Sequence, residues 1–140
     1  MTTRGIISIR HKGKYYVWFE EYSAFIEDLG VQLVLQWRKL TSEDIEKLKQ
    51  NLETIESRWR SMIDYRIFSS FKYLVSNVRP ETIQDTPPVL DLIIYYVYII
   101  DLDKNLFKII CDECKPTFRL DKVDLKHLNE FRCDIRDDHA

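Results

Sequence analysis

Residues 96–107 read Tyr96-Val97-Tyr98-Ile99-Ile100-Asp101-Leu102-Asp103-Lys104-Asn105-Leu106-Phe107. Both alternation sets of the run that leads into them are apolar or aromatic. Ile94, Tyr96, Tyr98 and Ile100 form one set, and Ile93, Tyr95, Val97 and Ile99 the other. Successive strand side chains point to opposite sides, so this segment predicts a strand covered on both faces. Asp103-Lys104-Asn105 turns the chain back, and Phe107, Ile109 and Cys111 then alternate with Lys108 and Ile110. The result is a hairpin whose first strand lies deep in a core.

The beginning of the chain repeats that form. Residues 5–10 alternate around Ile7 and Ile9, and residues 15–19 are aromatic and β-branched. Lys12-Gly13 lies between them, and glycine tolerates the positive φ that a tight hairpin turn needs. Between the hairpins the period changes. Leu29, Leu33, Trp37 and Leu40 fall at helical spacing, and Thr41-Ser42-Glu43-Asp44 reads as a stop and a capped restart. Ile45, Leu48, Leu52, Ile55, Trp59 and Met62 then form the stripe of a helix packed on a sheet, with Ile67, Phe71 and Leu74 extending it. Residues 79–88, holding Pro80, Pro87 and Pro88, read as an extended surface connection. Residues 117–120 predict a short strand and 124–131 a short helix. The expected fold is α+β: one domain over 1–140, an antiparallel sheet of four to five strands with two or three helices on one face.

Composition narrows the function classes. An apolar share of 45% and an aromatic share of 13% fill a real core, and 3 Gly with 4 Pro leave no low-complexity tail. A net charge of −2 argues against general attraction to nucleic acid or anionic lipid. The apolar run from Leu92 to Ile100 is too short for a helix to cross a bilayer, and the start lacks a signal-peptide core. Three cysteines, an odd number, fit a reducing compartment without disulfides. The expected setting is therefore intracellular and cytoplasmic, with no membrane partner.

Two segments carry a likeness to known sequences. Thr3-Arg4-Gly5 with the hairpin behind it, and Tyr98-Ile99-Ile100-Asp101-Leu102-Asp103 with Phe107, are similar to a group of small uncharacterised proteins. That group has fungal, bacterial, phage and large-virus members. It starts T-R-G, makes a hairpin, and carries a later Y-x-I-D-L-D-x-x-x-F hairpin. The resemblance implies a fold and brings no activity with it. Its members often read Y-N-H-x-D-x-Y-P-x-x-L-G where this chain has residues 19–30. Here Glu21 replaces the His, Ser23 the Asp and Ile26 the Pro, while Leu29-Gly30 is kept.

Four groupings bear on chemistry. Cys111, Cys114, His127 and Cys133 follow a C-x2-C-x12-H-x5-C spacing, with donors of the type that hold zinc tetrahedrally. Thr2, if Met1 is removed, joins a free amine to a hydroxyl, as in N-terminal-nucleophile hydrolases. Glu20, Glu21, Glu27 and Asp28 gather acid that reads as a solvated loop and helix cap. Arg4, Arg10, Lys12 and Lys14 make the first nineteen residues wholly basic, beside Trp18 and Tyr22. The leading expectation is a non-catalytic interaction or assembly module, self-associating or virion-associated. It binds a protein partner through Arg10, Lys12, Lys14, Trp18 and Tyr22. The alternatives are a small zinc-binding domain and an N-terminal-nucleophile hydrolase. Apart from zinc no cofactor is expected, and nucleic acid is not the expected partner.

Overall fold

The computed structural model describes residues 3–20, 24–58, 80, 82–112 and 115–130, with backbone alone for 56–58 and 129–130. Strands β1 (Gly5–His11) and β2 (Lys14–Glu20) form the first hairpin, with His11 opposite Lys14. Its turn residues, Lys12 and Gly13, have φ of 52° and 77°, as a two-residue turn between twisted strands requires. Short β3 (Thr82–Gln84) lies along β2. Strands β4 (Tyr96–Asp101) and β5 (Leu106–Ile110) form the second hairpin, and β6 (Thr117–Arg119) lies along β5.

The six strands run in the order β3-β2-β1-β4-β5-β6. Every neighbouring pair is antiparallel except β1 and β4, which are parallel from Gly5–Tyr96 to Arg10–Asp101. The sheet is therefore α+β and mostly antiparallel, as expected, with two refinements. Residues 82–84, expected as part of a surface connection, add an edge strand, because Thr82, Ile83 and Gln84 keep their amides while the prolines stand outside them. The parallel seam arises because the helices intervene between the two hairpins, and such a crossover can return the chain in the same direction.

Among the described residues three helices pack on one face. A five-residue π-helical turn (Ile26–Gly30), whose N–H groups converge on the Phe25 carbonyl, leads into α1 (Val31–Arg38). Helix α2 spans Ser42–Arg58 and α3 spans Leu125–Glu130. A capping box opens α2: the Asp44 N–H donates to Thr41 Oγ1, and the Thr41 N–H donates to Asp44 Oδ2, both at 3.1 Å. Leu33, Leu48, Leu52 and Leu128 drop from these helices onto Ile7, Ile9, Trp18, Tyr98, Ile100 and Phe107. The helical stripe expected beyond Arg58, from Trp59 to Leu74, lies outside the described residues. On the opposite face Ile6, Val17, Val97 and Ile99 form a second cluster with Tyr15 and Ile94. Every residue of β4 is buried, which is what its double apolar alternation required.

Aromatic rings form a row along the helix-covered face. Tyr96 and Tyr98 stack at 6.2 Å, Tyr98 and Phe107 at 6.3 Å, and Phe107 meets Phe118 at 6.4 Å. The Tyr98 hydroxyl donates to the Ala24 carbonyl, and burial raises its pKa well above the ordinary phenol value. That bond joins β4 to the segment after β2.

Gly5 is a packing glycine. A Cβ there would stand 2.6 Å from the Ala24 Cβ and 3.0 Å from the Tyr96 carbonyl oxygen. Overpacking of this kind costs about 1–3 kcal/mol. Urea denaturation should show Gly5→Ala less stable by about 2 kcal/mol. The same substitution should cost clearly less in an Ala24→Gly background, and equal costs would remove the steric explanation.

Candidate functional site

Because β1 and β4 run parallel, both hairpin turns emerge at the same end of the sheet. Two carboxylates of the second turn organise that end. Asp101 is fully buried. Its Oδ1 accepts the N–H groups of Asp103 and Lys104, each at 3.0 Å. Its Oδ2 accepts from the Arg10 guanidinium at 3.3 Å and lies 3.9 Å from Lys108 Nζ. Asp103 reaches across to the first turn, where Lys12 N–H donates to Oδ1 at 2.7 Å and Gly13 N–H to Oδ2 at 2.9 Å. The Leu102 N–H donates to the Arg10 carbonyl at 2.9 Å, and Arg10 lies over the Tyr15 ring.

Helix α2 reaches the same end through Glu53, whose carboxylate meets His11 Nε2 at 3.2 Å and also pairs with Lys12. Lys14 pairs with Asp85 at 3.0 Å. The protonation equilibria reflect these partners. Burial works against charge on Asp103, yet the Gly13 and Lys12 amides and the Arg10 guanidinium hold its carboxyl below the usual range. The Lys12 ammonium, and His11 behind it, lower the Glu53 carboxyl; Glu53 in turn raises Lys12. Chemically this is a fastener: acids of the second turn and of α2 meet cations and amides of the first hairpin.

The structure thus brings Arg10, Lys12 and Lys14 together, as the sequence suggested, but with an acidic partner for each. Trp18 is corrected: at 1% exposure it is a core residue, because its register opposite Ile7 turns it toward the helices. Tyr22 lies outside the described residues. Of the proposed zinc ligands, Cys111 is buried in the core, and His127 is exposed with its ring edge-on to Phe118. Cys114 and Cys133 lie outside the described residues. Among the described residues no three His, Cys, Asp or Glu side chains gather to hold a metal. Cys111 is the one cysteine among the described residues, and no disulfide closes among them. Thr2 and Glu21 are likewise outside the described residues, while Glu27 and Asp28 are exposed on the π-helical turn. Among the described residues no helix is long and apolar enough to cross a membrane.

One surface feature escaped the sequence reading. Asp91 Oδ1 accepts the N–H groups of Ile93 and Ile94, both at 2.8 Å, and closes a turn before β4. Leu92 at its apex is 95% exposed, Ile93 56% and nearby Val89 71%. Alternation had placed Ile93 in a buried strand. Aspartate capture of the following amides ends that alternation, and the Pro87-Pro88 pair with Asp91 is the signal that marks a turn. No protein-family model, curated protein or solved structure matches this chain.

The depressed Asp103 equilibrium sets a pH dependence. A carboxyl held low in the fold contributes stability that is complete above its ordinary value near pH 4 and disappears as pH falls through the folded value. Asp103→Asn should therefore lower stability at pH 7 by about 1–2 kcal/mol. It should also flatten the acid limb of a Tm-against-pH profile below about pH 4. Wild-type and variant profiles that stay parallel there would refute this assignment.

Proposed function

We propose that this chain is a non-catalytic assembly module that associates with copies of itself through the apolar turn at residues 89–93. The observation that carries this reading is the exposure of Leu92, Ile93 and Val89 on a backbone pinned by Asp91. Burying an aliphatic side chain of this size is worth about 1.5–3 kcal/mol. A turn already ordered loses little further freedom when it docks. The same surface on a second copy is a ready complement, as in two-fold contacts generally. A net charge of −2 leaves little repulsion between copies.

The charged end of the sheet supports the same view from the other side. Arg10, Lys12 and Lys14 each already pair with a carboxylate of the same chain, so the proposed contact surface moves from the first hairpin to the Leu92 turn. Three side chains make a small patch compared with a stable dimer interface, so each contact is weak and assembly depends on local concentration. Such a module works with neither cofactor nor membrane nor nucleic acid, in an intracellular setting. The phage and large-virus members of the group it resembles are in keeping with a virion-associated role for a repeated domain.

Sedimentation across a wide concentration range tests this. The wild type should show a rising mean mass, and Leu92→Asp should stay monomeric with an unchanged melting temperature. A wild type that remains monomeric throughout, or a variant that still associates, overturns self-association through this turn.

A further inference from the structure

At the other end of β4, a groove of about 300 Å³ opens between α1, the α1–α2 joint and the β4–β5 turn. Trp37, Leu40, Ile45 and Leu102 provide apolar lining, and Arg38 and Lys49 contribute the cations. The charge balance of this lining is uneven. The Arg38 guanidinium donates to the Val123 carbonyl, a neutral acceptor, and no carboxylate among the described residues pairs with it. Lys49 Nζ lies 3.8 Å from Glu46, a loose pair one helical turn away whose carboxylate is 67% exposed. Asp121, the acid of the lining, is already matched by Arg119 at 3.3 Å. Two cations therefore face an apolar groove of the size that small-ligand sites begin at.

The geometry points to a binding site for a small organic anion with an aromatic or aliphatic body. Its body lies along Trp37 and Leu102, and its acid group meets Arg38 and Lys49. A guanidinium suits a carboxylate because its planar fork offers parallel N–H donors, and a partly desolvated ammonium adds charge without demanding geometry. The same apolar body carrying a positive charge is rejected, since it would set a cation beside two others. This site is separate from the assembly turn, and neither reading depends on the other.

Indole-3-acetate and octanoate serve as anionic probes, with tryptamine and octylamine as their cationic counterparts. The readout is the Trp37 indole N–H resonance of the full chain, assigned with Trp37→Phe. At least one anion should give a saturable shift and bind about tenfold more tightly than its cationic counterpart, the scale of one charge-assisted contact. Lys49→Glu, at a half-buried position on α2, should weaken the anion by about tenfold or more, and Lys49→Gln by less. The melting temperature of both variants should match the wild type. No saturable shift with either anion, equal binding of anion and cation, or affinity untouched in folded Lys49→Glu would each overturn the site.

Discussion

The carboxylate of Asp103, seated on the Lys12 and Gly13 amides, determines how the two halves of the sheet meet. Each hairpin sets its own register through its turn. The parallel seam between β1 and β4 has no turn to do so, and a slip of one residue would exchange its two faces. Such a slip of β1 would bring Ser8 and Arg10 to the helix-covered side and expel Ile7 and Ile9. Asp103 prevents it by fastening one turn to the other. Asp101 secures the same end from within, its two oxygens shared between its own turn and Arg10. A buried carboxylate left without those donors would be strongly unfavourable, so the pairing is as much a requirement as a stabilisation.

The helical layer then follows from the faces so placed. Trp18, Tyr98 and Phe107 present a broad aromatic surface, and Leu33, Leu48, Leu52 and Leu128 cover it. Glu53 ties α2 to the His11 end of β1, while the Tyr98 hydroxyl ties the middle of β4 to Ala24. The sheet is thus anchored to its surroundings at the turn end of β1 and at the middle of β4. Among the described residues, the Leu92 turn lies outside this framework at one end of β4 and the groove beside Trp37 at the other.

Local chemistry was legible in the sequence. Lys12-Gly13 and Asp103-Lys104-Asn105 announced their turns, Thr41 and Asp44 announced the start of α2, and the double apolar alternation announced a buried β4. What depended on distant residues was not. The parallel seam, the partners of Arg10 and the edge strand at Thr82–Gln84 are set by residues far apart in the chain. Trp18 illustrates the limit at the site: an aromatic residue in a basic hairpin has the same local signature whether it faces water or helices. Exposure of Leu92 was hidden for a related reason, since Asp91 converts an apolar run into a turn through one oxygen.

The fastening of the hairpins also sets an order of events at birth. Arg10 and Asp101 stand 91 positions apart, so the first hairpin leaves the ribosome long before its central neighbour exists. Until then β1 is an open apolar edge, the kind that recruits stray strands from other chains. Closing so large a loop also slows folding, because its entropy must be given up before the seam forms. Nascent chains crowded on one messenger are therefore most vulnerable to mispairing in the interval before residue 103 emerges.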